Sequence, residues 1–306
     1  MAVTEVYEKY EELCPWHHRE PFADGIQRPV VLRPDDSYFV SWAPAPGNST
    51  PSWITVSTPR VNAGVFLVQP GGWFDSGNHP GPEPYYIIKG TLHLSNPDTG
   101  DVIEISAGDA SNIPAFAYHH AHNFGDEACW IQWWVPGEMH TDDFKRKVCD
   151  GTLQEIGWYE REPVVLNGPH GSNDGFPSRL DLLSSWPSDQ PKSGYDIQKL
   201  DRSTWLHTLQ GNDPRLRVLT SFFYTDERIR CGEVRLPPSR ESEPTSGDYE
   251  LVLYVTEGDF LVNLTDTAET LKGQVGDTIF VPPNVRHSYQ AMGDGPARAV
   301  FGMALG

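Results

Sequence analysis

Cysteine is scarce in this chain. There are four in 306 residues, Cys14, Cys129, Cys149 and Cys231, and no two are close enough to form a Cys-x-x-Cys pair. Free thiols in a reducing compartment are expected, not a disulfide framework. Positive charge is also short, with 23 Lys and Arg against 42 Asp and Glu for a net charge of −19. Nucleic acid and anionic membrane surfaces both need a positive face on their partner, and no Lys/Arg run supplies one. The acidity reads as solubility. Also missing are an apolar run of ~18 residues and a basic-then-apolar start, so neither a membrane span nor a signal peptide is expected, and the location expected is cytoplasmic. Long, clean helical periodicity is rare.

What is plentiful is Pro (27), Gly (28) and aromatic rings, with Trp 10, Tyr 12 and Phe 13. That mixture points to an all-β protein with many turns and aromatic-lined interiors. The length suits two ordinary domains, each with its own core. Residues 4–14, "TEVYEKYEELC", read as a short helix opening at Thr4 within an N-terminal arm over 1–60. From 61 to 140 apolar runs alternate with turns, and "NPDTG" is a hairpin turn: Pro presets φ, Asp bonds locally and Gly supplies positive φ. A loop-rich connector with a short helix over 141–149 fills 141–210, and a second β unit occupies 211–306.

The two β units are copies. At an offset of 168 residues Gly90 falls on Gly258, Gly108-Asp109 on Gly276-Asp277, Pro114 on Pro282 and His119 on His287. "KGTLHLSN" then lies over "EGDFLVNL", and "GDASNIPAFAYHH" over "GDTIFVPPNVRHS", with no gaps.

Two stretches carry a family resemblance. "HPGPEPYYIIKG" gives H-x3-E-x6-G at His79, Glu83 and Gly90, and "GDASNIPAFAYHHAHN" gives G-x5-P-x4-H-x3-N at Gly108, Pro114, His119 and Asn123. This resembles the two motifs of cupins, so the chain looks like a bicupin. The resemblance implies two tandem double-stranded β-helix (jelly-roll-like) barrels over about 61–136 and 212–304. Gly77 stands where the family has the first histidine of H-x-H, and Ala117 lies near the place of the motif-two glycine. In the second copy Gly77, His79 and Glu83 become Thr245, Gly247 and Leu251, and Asn123 becomes Ala291. Only His287 survives there, as a family remnant.

The resemblance makes His79, Glu83 and His119 the metal ligands. Two histidines and one carboxylate are the set used by non-haem Fe(II) oxygenases, with positions left open for substrate and O2. The glycine at 77 either opens one more position or weakens the site. Side chains alternate along a strand, so Tyr85 and Ile87 share the face of Glu83, and Ala121 and Asn123 that of His119. Tyr85 and Asn123 are therefore the candidate catalytic residues. In "CWIQWWV" either Trp130, Gln132 and Trp134 or Ile131 and Trp133 must face inward. His120 and His122, of opposite parity to His119, face outward unless a bulge turns one of them into the missing ligand position. His93 reads as a packed or hydrogen-bonded histidine, and His17-His18 as surface loop.

The activity expected is Fe(II)-dependent oxygenation or oxidation of a small substrate, aromatic or carboxylate, in the first barrel. The alternatives are a non-redox isomerase, lyase, dehydratase or decarboxylase using Zn, Mn, Ni or Fe as a Lewis acid, or a non-catalytic binding bicupin. The second barrel is expected to supply packing and a homodimer contact.

Overall fold

The computed structural model describes residues 27–45, 48–77, 81–97, 99–137 and 196–306. The expected helices over 4–14 and 141–149, the His17-His18 pair and His79 lie outside these residues. Strand β1 (Val30–Leu32) comes first. Ten strands follow: β2 (Tyr38–Ala45), β3 (Asn48–Ser57), β4 (Val61–Val68), β5 (Trp73–Gly77), β6 (Glu83–Lys89), β7 (Thr91–Asn96), β8 (Asp101–Ser106), β9 (Ala110–Ile113), β10 (His119–His122) and β11 (Cys129–Pro136). Next is β12 (Gln198–Leu200). The last set is β13 (Leu206–Gln210), β14 (Val218–Thr225), β15 (Ile229–Leu236), β16 (Tyr249–Glu257), β17 (Asp259–Leu264), β18 (Glu269–Gly273), β19 (Thr278–Val281), β20 (His287–Met292) and β21 (Ala297–Leu305).

Each set closes as a large sheet facing a small one. The first barrel pairs a seven-stranded sheet, β12-β9-β6-β11-β4-β3-β2, with a four-stranded sheet, β5-β10-β7-β8. The second pairs β1-β19-β16-β21-β15-β14-β13 with β18-β17-β20. The fold is all-β and antiparallel, as the turn-rich composition implied. The boundaries of the arm and connector move. β2 and β3 extend the first barrel's sheet beyond β4, so that barrel begins near residue 38, and β13 belongs to the second barrel. The edges are also exchanged. β1 joins the second barrel on β19, and β12 joins the first on β9.

The 168-residue repeat persists at the level of single hydrogen bonds. Gly108 N–H donates to Ile87 O and Ile87 N–H to Asp109 O, and Gly276, Val255 and Asp277 repeat the pair. The Asp109 carboxylate accepts from Ser106 N–H, and that of Asp277 from Gln274 N–H. Gly90 and Gly258 both turn with positive φ, at 80° and 68°. A Cβ at Gly90 would stand 2.8 Å from Cys129 Cα, which explains the shared glycine. At the "NPDTG" turn Asn96 stands opposite Asp101 and Gly100 has the expected positive φ, while Asp98 lies outside the described residues.

Alternation sorts the side chains between two environments. Tyr85 and Ile87 of β6, and Ile131, Trp133 and Val135 of β11, fill the first barrel. Their neighbours Tyr86 and Trp134 point the other way, into an apolar layer between the barrels with Val252, Phe280 and Val300 of the second. Phe223 is the hub of that layer. It lies 6.3 Å from the rings of Tyr86 and Trp134 and 5.2 Å from Trp205. Arg202 fastens one side of the seam: its Nε donates to Gly108 O at 2.8 Å, and its guanidinium lies 3.4 Å from the fully buried Glu233.

Candidate metal centre

Glu83 opens β6 in the large sheet, opposite Ile113 on β9. His119 opens β10 in the small sheet, opposite Gly77 on β5. Both side chains are buried, and they meet across the barrel with Glu83 Oε2 3.4 Å from His119 Nε2. Facing sheets thus bring together two residues that lie 36 positions apart in the chain.

The orientation of the pair follows from its neighbours. His119 Nδ1 lies 3.2 Å from Ala117 O, and a carbonyl only accepts, so Nδ1 carries a proton. Nε2 is then the ring atom that faces the Glu83 carboxylate. A separation of 3.4 Å is long for a proton, since charge-assisted N–H···O bonds run about 2.7–2.9 Å. Two ligands held about 2.1 Å from one ion stand roughly 3.0–3.4 Å apart. The pair therefore fits a shared divalent metal. Among the described residues no three His, Cys, Asp or Glu side chains form a metal-holding group, and the third expected ligand, His79, is not one of those residues.

A wall of rings adjoins the pair. Tyr85 meets Phe66 edge-on at 5.3 Å, Phe66 meets Phe74 at 5.7 Å, and Phe74 meets the His119 imidazole at 6.0 Å. Phe66 and Phe74 escaped the sequence reading, although both sit in alternating runs around "FLVQPGGWF". Tyr85 is 2% exposed and belongs to this wall. Asn123 is placed differently. Its Nδ2 donates to Val68 O and Glu127 O, and its Oδ1 accepts from Gly125 N–H, so the amide ties down the turn between β10 and β11. His120, His122 and His93 are on the outer face of the small sheet. The β-bulge falls between the His119 and Ala121 pairings and does not turn His120 inward. Cys129 and Cys231 are buried free thiols, and burial pushes Cys129 up to about 12.

The second barrel answers the same positions with other chemistry. His287 Nδ1 lies 2.8 Å from Val285 O, as His119 does from Ala117, but its Nε2 meets the Tyr289 hydroxyl at 3.2 Å. Leu251 replaces Glu83, and Tyr289 occupies the position equivalent to Ala121. Burial lowers the His287 pKa, so the ring stays neutral. A neutral His–Tyr pair inside an apolar core has no carboxylate to recruit a cation.

Residues 64–135 and 232–303 each match the family model described as the cupin domain. The chain carries two cupin domains in tandem. No curated protein matches it in sequence. Solved structures of similar fold include AerE from Microcystis aeruginosa, at 10% identity and a TM-score of 0.57 over 88% of this chain and 98% of that one. Another is the formate complex of oxalate decarboxylase from Lactobacillus farciminis, at 17% identity and TM-score 0.58, covering 92% and 87%. A third is Bacillus subtilis oxalate decarboxylase, studied for its Mn(II) centres, at 16% identity and TM-score 0.57, covering 92% and 77%. At such identities the likeness concerns the fold. No helix among the described residues of the bicupin is long and apolar enough to cross a membrane.

Proposed function

We propose that the first cupin is a metal-dependent enzyme for a small substrate with an apolar or aromatic body, and that Glu83, His119 and His79 hold its ion. The observation that carries this reading is the buried approach of Glu83 and His119 from opposite sheets. A divalent ion there supplies Lewis acidity and, as Fe(II) on a 2-His-1-carboxylate set, activation of O2. Oxygenase or oxidase chemistry is the preferred class. Ala117 O fixes the His119 tautomer so that Nε2 is the ligating atom. The Tyr85–Phe66–Phe74 wall excludes water and offers flat apolar contact, while Asn123 holds the adjoining turn.

A non-redox decarboxylase or other lyase with a Mn-class ion is the second reading, favoured by the likeness to two oxalate decarboxylases. To separate them, chelator-treated protein is reloaded anaerobically with Fe(II), Mn(II) or Zn(II) and offered aryl carboxylates with and without O2. Fe(II)-dependent O2 uptake supports oxygenation; turnover and CO2 release without O2 transfer the site to the second reading. Metal content that is sub-stoichiometric and unchanged in Glu83→Gln refutes both, leaving a non-catalytic binding protein.

A further inference from the structure

The outer face of the first barrel's small sheet carries a row of side chains that the barrel interior does not use. Trp73 on β5, His122 on β10, His93 on β7 and Glu104 on β8 are direct cross-strand neighbours. His120, two residues from His122, shares their face, since strand side chains repeat with period two. The three histidines line an open cleft of about 230 Å³ walled by Phe124 and Val102.

Glu104 decides the chemistry of this row. His93 Nε2 lies 3.1 Å from its carboxylate, which only accepts, so Nε2 carries the proton and Nδ1 keeps a lone pair. That Nδ1 is buried and has no hydrogen-bond partner. A carboxylate behind one ring nitrogen with the other nitrogen bare is the arrangement that orients metal-ligating histidines. His122 is held flat between Trp73, at 6.4 Å and 23°, and Phe124, at 5.5 Å and 13°. Its ring centre lies 4.9 Å from that of His120. Two imidazoles on one tetrahedral ion, each nitrogen about 2.1 Å from it, hold their ring centres roughly 5 Å apart.

We propose that His93, His120 and His122 form a second divalent transition-metal site of this bicupin, outside the barrel, with Glu104 as the carboxylate behind His93. Three imidazoles and no hard oxygen ligand select Zn2+ over Mg2+ or Ca2+. As the side chains stand they do not surround an ion; with His93 kept by Glu104 and His122 by its flanking rings, a rotamer change of His120 closes the site without moving the strands.

The test uses the full chain carrying Glu83→Gln and His119→Gln, which disables the interior pair. Calorimetric titration with Zn2+ is expected to show one micromolar or tighter site, and Co2+ to give a tetrahedral visible spectrum. Adding His93→Ala and His122→Ala should weaken Zn2+ binding by 100-fold or more with the melting temperature retained. Glu104→Gln should weaken it about 10–100-fold. Absence of Zn2+ binding, or binding of equal strength after the two alanine substitutions, overturns the proposal. So does Ca2+ binding as tight as Zn2+.

Discussion

Replacing Glu83 by Gln separates a metal ligand from a merely buried hydrogen-bonding residue, because the two roles predict opposite signs with and without metal. Gln keeps the shape and most of the hydrogen-bonding capacity while removing the charge that faces His119 Nε2 at 3.4 Å. Loss of the anionic ligand should weaken metal affinity by at least about 100-fold, or about 2.7 kcal/mol. With metal at about 100 times the native Kd, the ion stabilises the native protein by about 2.7 kcal/mol but the variant by only about 0.4 kcal/mol. At about 2–4 °C per kcal/mol, the metal-induced rise in melting temperature should shrink by roughly 5–10 °C. In chelator-treated protein the order should reverse. Removing the charge lowers the cost of keeping this desolvated side chain buried without its ion, so the variant should melt at or above the native temperature. The assay is differential scanning calorimetry with and without each candidate metal. An equal metal-induced rise in both proteins refutes the ligand assignment. A metal-free variant that melts several degrees lower makes Glu83 structural.

Three further outcomes are expected. Ala121→Tyr copies Tyr289 of the second barrel beside His119 and should abolish interior metal uptake in elemental analysis, whereas Tyr289→Phe should leave uptake intact. Gly90→Ala forces a side chain into φ 80° and against Cys129 Cα, which should cost about 1–3 kcal/mol in denaturant unfolding. His287 is held below its ordinary value of 6.5 by burial, so the unfolded chain binds the extra proton first and native stability falls as pH drops below about 6.5. His287→Gln should flatten that loss in melting curves, and an unchanged slope would remove His287 as its cause.

The duplicated architecture was legible because its devices are local. Gly90, the Gly108-Asp109 turn and Gly100 of the "NPDTG" stretch each fix a few backbone angles in place, and each takes its expected conformation. The approach of Glu83 to His119 was legible through motif spacing and strand parity. Parity alone left β11 open, because both faces of "CWIQWWV" are apolar. Two apolar environments compete for them, and Trp134 faces the seam because the second barrel presents Gly302 there, where a Cβ would stand 2.4 Å from its ring. The exchange of β1 and β12 had no signal. "VVL" and "QKL" are three-residue strands, and nothing in them names a partner on the other barrel. The role of Tyr289 was equally hidden, since it appears only when the hydroxyl is placed beside His287.

The exchanged edges set a timetable for synthesis. β12 is made about 90 residues after its partner β9, so the first barrel's sheet gains that edge only once the chain is two-thirds complete. β1 waits longer, because β19 lies about 250 residues downstream. At 5–20 residues per second, that is roughly 10–50 s in which an apolar strand near the start of the chain has no native partner. The second barrel completes its sheet only with a strand made before the first barrel, and the first only with a strand made after its own core. A nascent chain arrested between the two β units therefore carries one unpaired strand and one uncovered sheet edge, both open to contact with neighbouring chains.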